Sequence, residues 1–211
     1  GTGIEILPAR ILETLLGCLV SVLAISFIFP DWQFQRFPIL VKDLLILSNR
    51  YFNQVGQQYH YGRSENLHYR STRLQTFQAD AKLTCAWQSM LFEPKSKQQL
   101  NHEIYALVNR CDALVSYIAA LASHRHKIKE FEQNTALQEL INATARQIAL
   151  AHNPQQKNEG RHFITIEEFD NYKPALSGEA LLIVEQLRLI AFTALDIQLL
   201  LQKVNFEPTK S

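Results

Sequence analysis

The chain has 211 residues, 47% of them hydrophobic and 19% charged, with 21 basic against 20 acidic side chains. That length suits one ordinary core, the composition argues against disorder, and a formal charge of +1 removes any bulk electrostatic case for nucleic acid. The cysteines Cys18, Cys85 and Cys111 stand far apart with no CxxC pair, so they indicate neither a disulfide framework nor a zinc knuckle and suit a reducing compartment.

Pro8, Pro30, Pro38, Pro94, Pro154, Pro174 and Pro208 mark expected helix boundaries, because proline lacks a backbone donor and clashes with the preceding turn. The first element is the stretch from Ile11 to Phe29, ILETLLGCLVSVLAISFIF, whose single charge is Glu13. As a helix it is about 28 Å long, close to the ~30 Å hydrocarbon thickness of a bilayer. Trp32, Phe34 and Phe37 follow it, as expected of anchors at headgroup level, so the sequence predicts a transmembrane helix. A buried core helix and a signal peptide are the alternatives. The second lacks a basic flank and a small-residue cleavage site, since the next residues are IFPDWQ.

Thr14, Gly17, Ser21 and Ala24 line one face of this helix and let a second helix backbone approach closely in lipid. No later stretch is a credible span; the most apolar, Leu187 to Leu201, carries Arg188 and Asp196. The expectation is therefore either oligomerisation through this helix or membership of a longer membrane protein, and a first residue that is glycine favours the latter. Expected partners are the other transmembrane helices of that parent, further copies of the chain, and the lipid bilayer.

Beyond residue 38 helical periodicity dominates. Leu40, Leu44, Leu47, Tyr51 and Val55 form one apolar stripe, which ends near residues 60 to 63, where Gly56 and Gly62 flank Tyr59-His60-Tyr61 and Ser64 is a candidate N-cap. Leu74, Phe77, Ala81 and Cys85 form a second stripe. Leu100, Ile104, Leu107, Cys111, Leu114, Ile118 and Leu121 form a third, widened by Val108, Val115 and Ala122. Leu137, Ile141, Thr144, Ile148 and Ala151 give a fourth, and Ile183, Leu187, Ile190, Ala194, Ile197, Leu201 and Val204 the last. Such stripes are what antiparallel bundle helices bury. The only strand candidate is Phe163 to Ile166, with a polar loop expected from Asn153 to Gly160 and an irregular connection from there to Ser177. The fold class is therefore all-α: a transmembrane helix within residues 1–30, then a helical bundle over 31–211. One basic residue, Arg10, precedes the span and two, Arg36 and Lys42, follow it, which assigns the bundle to the cytoplasm.

Candidate chemistry is sparse. Glu65 and His68, and Glu159 and His162, have the Glu-x-x-His spacing of di-iron bundles, but the second pair contains Gly160 within the polar loop, so no metal is expected. His124, Arg125, His126, Lys127 and Lys129 close the third helix, where cations complement the carbonyl end of the dipole. Arg63, Arg70 and Arg73 surround Tyr69 and suit lipid headgroups or acidic residues of a neighbouring domain, against the plainer reading of a solvated face. No phosphate loop, nucleophile elbow or catalytic Cys/His spacing occurs, so neither an enzyme nor a cofactor is expected. Arg10 and Glu13, one turn apart beside the small-residue seam, are candidates for a polar substrate pathway, with interfacial snorkelling as the alternative.

The run Arg10-Ile11-Leu12-Glu13-Thr14-Leu15-Leu16-Gly17, followed by Phe29-Pro30-Asp31-Trp32, resembles the last transmembrane helix of the YccS/YhfK-type bacterial inner-membrane proteins, grouped with the fusaric acid resistance and aromatic acid exporters. The resemblance continues through Tyr69-Arg70-Ser71-Thr72-Arg73, Met90-Leu91-Phe92-Glu93-Pro94 and Ser116-Tyr117-Ile118-Ala119-Ala120-Leu121, covering most of residues 4 to 129. The chain departs from the family pattern at Glu13, where Asp is frequent, and near Arg70, where Ser71 and Thr72 separate the arginines. The resemblance implies the C-terminal portion of a multi-pass inner-membrane efflux transporter, its soluble bundle serving assembly or gating. The rival expectation is a single-span anchored module that binds a protein partner.

Overall fold

The computed structural model describes residues 6–27, 33–91, 101–124, 135–151, 169 and 178–204. All regular structure among the described residues is helical: α1 (Ile6–Phe27), α2 (Gln33–Tyr61), α3 (Leu67–Met90), α4 (Asn101–Ser123), α5 (Thr135–Ala151) and α6 (Glu179–Lys203). Contacts divide the chain into Gly1–Trp32, which holds α1, and Gln33–Ser211, which holds the other helices. The candidate strand Phe163 to Ile166 and the polar loop from Asn153 lie outside the described residues.

The helix α1 starts five residues before Ile11 because Pro8 falls in its first turn, where the missing N–H has no intrahelical partner to lose. Its 22 residues span about 33 Å.

The second unit is built around α2, which packs against α3, α4 and α5, while α6 packs against α4 and α5. Helices α2, α4, α6 and α5 thus form a closed ring about one core, and α3 lies along the α2–α4 edge. Three neighbours explain why burial on α2 exceeds one stripe: Leu44, Tyr51 and Val55 are buried as the spacing predicts, and so are Phe37, Val41, Leu45, Phe52 and Tyr59. Pro38 lies inside α2, not at its boundary. So near the N-terminus it removes only a single ladder bond, which the packing of Phe37 and Val41 outweighs.

The stripes of α4, α5 and α6 are buried largely as the sequence predicts. Ile104, Leu107, Cys111, Leu114, Ile118 and Leu121 meet Leu137, Ile148, Ile183, Leu187, Ile190, Ala194 and Ile197 in one continuous cluster, with Ile141 and Leu201 packed at its margin. Arg188 and Asp196, which argued against a span here, serve as bundle-surface ion pairs: Arg188 with Glu185 at 3.1 Å, and Asp196 with Arg110 of α4 at 3.3 Å. Tyr59 is fully buried and its hydroxyl donates to the Leu121 carbonyl at 2.6 Å, so α2 adds a second, shorter bond to a last-turn carbonyl of α4 that locally receives the His124 N–H at 3.3 Å.

Residues 62–66 join α2 to α3 as an antiparallel hairpin. Gly62 has a φ of 92°, and its N–H bonds the Gln58 carbonyl at 2.9 Å, a left-handed helix stop that glycine adopts without Cβ strain. The N-cap of α3 is Asn66, whose Oδ1 accepts from the Tyr69 N–H at 2.8 Å, so the cap falls two residues after the expected Ser64.

The α2–α5 contact is tight at Gly56, where an added Cβ would stand 2.9 Å from Cγ2 of Ile141. That methyl sits on a β-branched carbon and has little freedom to retreat. Gly56→Val should therefore lower stability by about 1–3 kcal/mol through overpacking despite its better helix propensity, read as a lower thermal midpoint of the detergent-solubilised chain; an unchanged or raised midpoint would show that Ile141 yields freely.

Candidate functional site

Two surfaces carry the residues singled out by sequence. On α1, every side chain described from Arg10 to Leu23 is exposed, and Ile11, Leu12, Leu15, Leu16, Leu19, Val20, Val22 and Leu23 are between 47% and 62% accessible. Soluble surfaces scatter large apolar residues singly; eight within thirteen positions form a continuous apolar face over one half of the helix that water does not favour. Arg10 and Glu13 lie on this helix, both exposed. In the small-residue seam, the Thr14 hydroxyl donates to the Arg10 carbonyl and the Ser21 hydroxyl to the Gly17 carbonyl, each at 2.8 Å. Both hydroxyls are satisfied by their own helix, so the seam presents no unpaired donor to an apolar medium. Nothing stands within 4 Å of a Cβ placed on Gly17, leaving the groove open. The side chain of Ala24 lies outside the described residues, as do Trp32 and the side chain of Phe34. Phe37 is not at an interface: it is fully buried in the bundle core, because α2 already runs through it.

The second surface is the outside of α3, and here the sequence expectation is overturned. Leu74 and Phe77 are 59% and 38% exposed, and Ala81 and Cys85 also face outward. The buried side is Tyr69, Thr72, Thr76, Leu83, Ala86 and Met90. Its first half is a polar seam hydrogen-bonded across to α2, in which Gln54 Oε1 is left without a partner. The Gln54 amide of α2 donates to Thr72 Oγ1 at 3.1 Å, and the Thr76 hydroxyl donates to the Thr72 carbonyl at 2.9 Å with the Leu47 carbonyl of α2 at 3.3 Å. The hydroxyls of Tyr51 and Tyr69 meet at 3.4 Å. Bonded polar groups bury at little cost, so threonine and tyrosine displaced leucine and phenylalanine from the interface. One signal would have found it: residues 69, 72, 76, 79, 83, 86 and 90 alternate spacings of three and four without a break, whereas the 74, 77, 81, 85 stripe is shorter and irregular.

Arg70 and Arg73 flank the outward stripe, both exposed, with the Arg73 guanidinium 5.8 Å from the centre of the Phe77 ring. Arg63 pairs with Glu65 at 3.1 Å. The only acidic residue of α3, Asp80, turns the other way, to hydrogen-bond Asp112 of α4. Burial, then the charge of Asp112 and the bond between them, push the Asp80 carboxyl up to about 6 from the usual 3.8.

Glu65 precedes α3 and His68 lies in its first turn, both exposed, while Glu159 and His162 are outside the described residues, as is the basic cluster beyond His124. Among the described residues no group of three or more His, Cys, Asp or Glu converges as a metal site. Among the same residues, the helix that meets a span criterion by length and composition is α4, over His102–Ser123. Nearly half of its window is buried inside the bundle, which accounts for its apolar composition without a membrane.

Comparison with known proteins gives 27% identity, over 213 aligned residues and the whole of this chain, to the protein described as "Inner membrane protein YccS" of Escherichia coli (strain K12). The chain is similar throughout its length to a YccS-type protein. An uncharacterized protein of Haemophilus influenzae is 30% identical over 63% of the chain, and an uncharacterized protein ORF2 of Neisseria gonorrhoeae is 24% identical over 54%. This YccS-like chain spans 29%, 18% and 28% of these three relatives, less than a third of each. No family model and no solved structure matches it.

A carboxyl raised in the folded state binds its proton more tightly there than in the unfolded chain, so its contribution is favourable below pH 4 and is lost as pH rises through about 6. The thermal midpoint of the YccS-like chain should therefore decline between pH 4 and 6.5, and Asp80→Asn should flatten that decline and raise the midpoint at pH 7. A pH profile identical in the variant would show that the two aspartates do not strain the α3–α4 contact.

Proposed function

We propose that this chain is part of a bacterial inner-membrane protein of the efflux type, in which α1 spans the bilayer and the bundle stands on the cytoplasmic side and serves assembly or gating without catalysing a reaction. The observation that carries this reading is the exposed apolar face of α1: the helix length of about 33 Å matches a hydrocarbon core, and its two seam hydroxyls are internally bonded. Similarity to an inner membrane protein along the whole chain supports it.

Within this reading the open groove at Gly17 receives another transmembrane helix, of the same parent protein or of a second copy, since small residues there let two backbones approach and gain close van der Waals contact. Arg10 and Glu13 stand beside that groove, near one end of α1, where a charged pair would line a polar path for an organic anion such as an aromatic acid. Transport itself requires helices beyond this chain.

The chain expressed in bacterial membranes should stay with the lipid pellet through carbonate extraction at high pH, and its release into the supernatant would remove the basis of the reading. Gly17→Leu should fill the groove and abolish the crosslinked assemblies seen with the unaltered chain; undiminished crosslinking would place the helix contact elsewhere. Loss of the intact parent gene should raise cellular accumulation of aromatic acids, and unchanged accumulation across a panel of them would remove that substrate class.

A further inference from the structure

The outward face of α3 is unusual for a helix on the outside of a bundle. Leu67, Leu74, Ala81 and Cys85 project within about 20° of one line along it at 100° per residue, and Leu67 is 82% exposed. Arg70, Arg73 and Lys82 border this strip on its two sides, all exposed. A shallow depression at its start is lined by Glu65, Leu67, Arg70, Arg73, Leu74 and Phe77. From Leu67 onward the strip itself holds no carboxylate; Glu65, paired with Arg63, stands at its start, and Asp43 of α2 shares a shallow groove with Lys82 at its border, so cations stay in excess along the face. The helix is thus amphipathic twice over: a hydrogen-bonded polar seam inward, and an apolar strip edged by cations outward.

We propose that this face of α3 docks on an anionic lipid surface, the leucines and Phe77 entering the headgroup boundary and Arg70, Arg73 and Lys82 meeting phosphate groups. Charge selects the occupant. A second copy of the chain, face to face, would bring Arg70 and Arg73 of both copies together against only Glu65, which already pairs with Arg63, and like charges in contact repel. An anionic bilayer supplies both the negative potential and the apolar layer that the strip lacks. The inference rests on the membrane reading of α1 for its advantage in concentration, since a bundle tethered to an embedded helix docks as an intramolecular event.

The three cysteines provide the test in the full chain. Cys18 and Cys85 are exposed and Cys111 is buried, so Cys18→Ser leaves Cys85 as the accessible thiol on the strip, and Cys85→Ser leaves Cys18 as a reporter within α1. Each variant is labelled with an environment-sensitive fluorophore and placed in nanodiscs carrying a lipid-borne quencher, either wholly phosphatidylcholine or one-third phosphatidylglycerol. The Cys85 label should be quenched in the anionic discs and largely unquenched in the neutral ones. Arg70→Gln with Arg73→Gln should lower the docked-to-free ratio about 25-fold, at roughly fivefold per arginine, and Leu74→Asp should abolish quenching. Because these residues are exposed, helical content and thermal midpoint should match the parent, which separates loss of docking from loss of fold. Absence of Cys85 quenching in either disc, while the Cys18 label is quenched in both, overturns the docking surface and leaves the membrane helix standing. Equal quenching in the two discs overturns the preference for anionic lipid. Crosslinking of Cys85 between copies, undiminished by excess empty discs, overturns a lipid occupant in favour of self-association. Quenching at Cys85 on anionic discs without quenching at Cys18 supports the docking surface and removes α1 from the bilayer.

Discussion

The bundle depends on the burial of α2. This helix packs against α3, α4 and α5, and its fully buried residues, Phe37, Leu44, Leu45, Phe52, Val55 and Tyr59, are spread too widely around the helix to be covered by a single partner. Each large side chain removed from water is worth about 1.5–3 kcal/mol, so leaving any one side of α2 open would forfeit several such terms. Helices α3, α4 and α5 are held where they are by that requirement, and α6 closes the ring opposite. Glycine at position 56 and the hydroxyl of Tyr59 are local expressions of the same constraint: one lets α5 approach, the other supplies a partner to the end of α4.

The side of α2 that meets α3 differs in kind. Gln54, the Leu47 carbonyl and the Tyr51 hydroxyl offer hydrogen bonds, and α3 answers with Thr72, Thr76 and Tyr69. Once that polar seam is formed, the more hydrophobic side of α3 has no interior left to enter. The exposed strip is thus a consequence of how α2 distributes its polarity, and it is kept despite the repulsion between Asp80 and Asp112 at the α3–α4 contact. Interior specificity and outer surface chemistry are two sides of one choice of register.

The chain therefore carries two kinds of hydrophobic surface. In the bundle, apolar stripes on α4, α5 and α6 satisfy one another. On α1 large apolar residues cover one half of the helix and a groove of small residues with internally bonded hydroxyls lies on the other, a combination that suits a solvent of lipid and helices better than a protein core. The relatives this chain resembles are several times longer than it is.

By itself the sequence determined the all-α class, the apolar first helix, and the stripes of α2, α4, α5 and α6, because wherever leucine and isoleucine recur at three and four residues a single face dominates hydrophobic burial. Resemblance to YccS-type proteins was likewise readable in the residues of α1 and α3. Only the tertiary structure decided which side of α3 faces inward, that Phe37 belongs to the core, and that Pro38 lies within a helix. Those outcomes turn on partners far away in sequence: a threonine ranks below a leucine until a glutamine on another helix donates to it, and a proline reads as a terminus until its neighbours gain more from packing than one backbone bond costs.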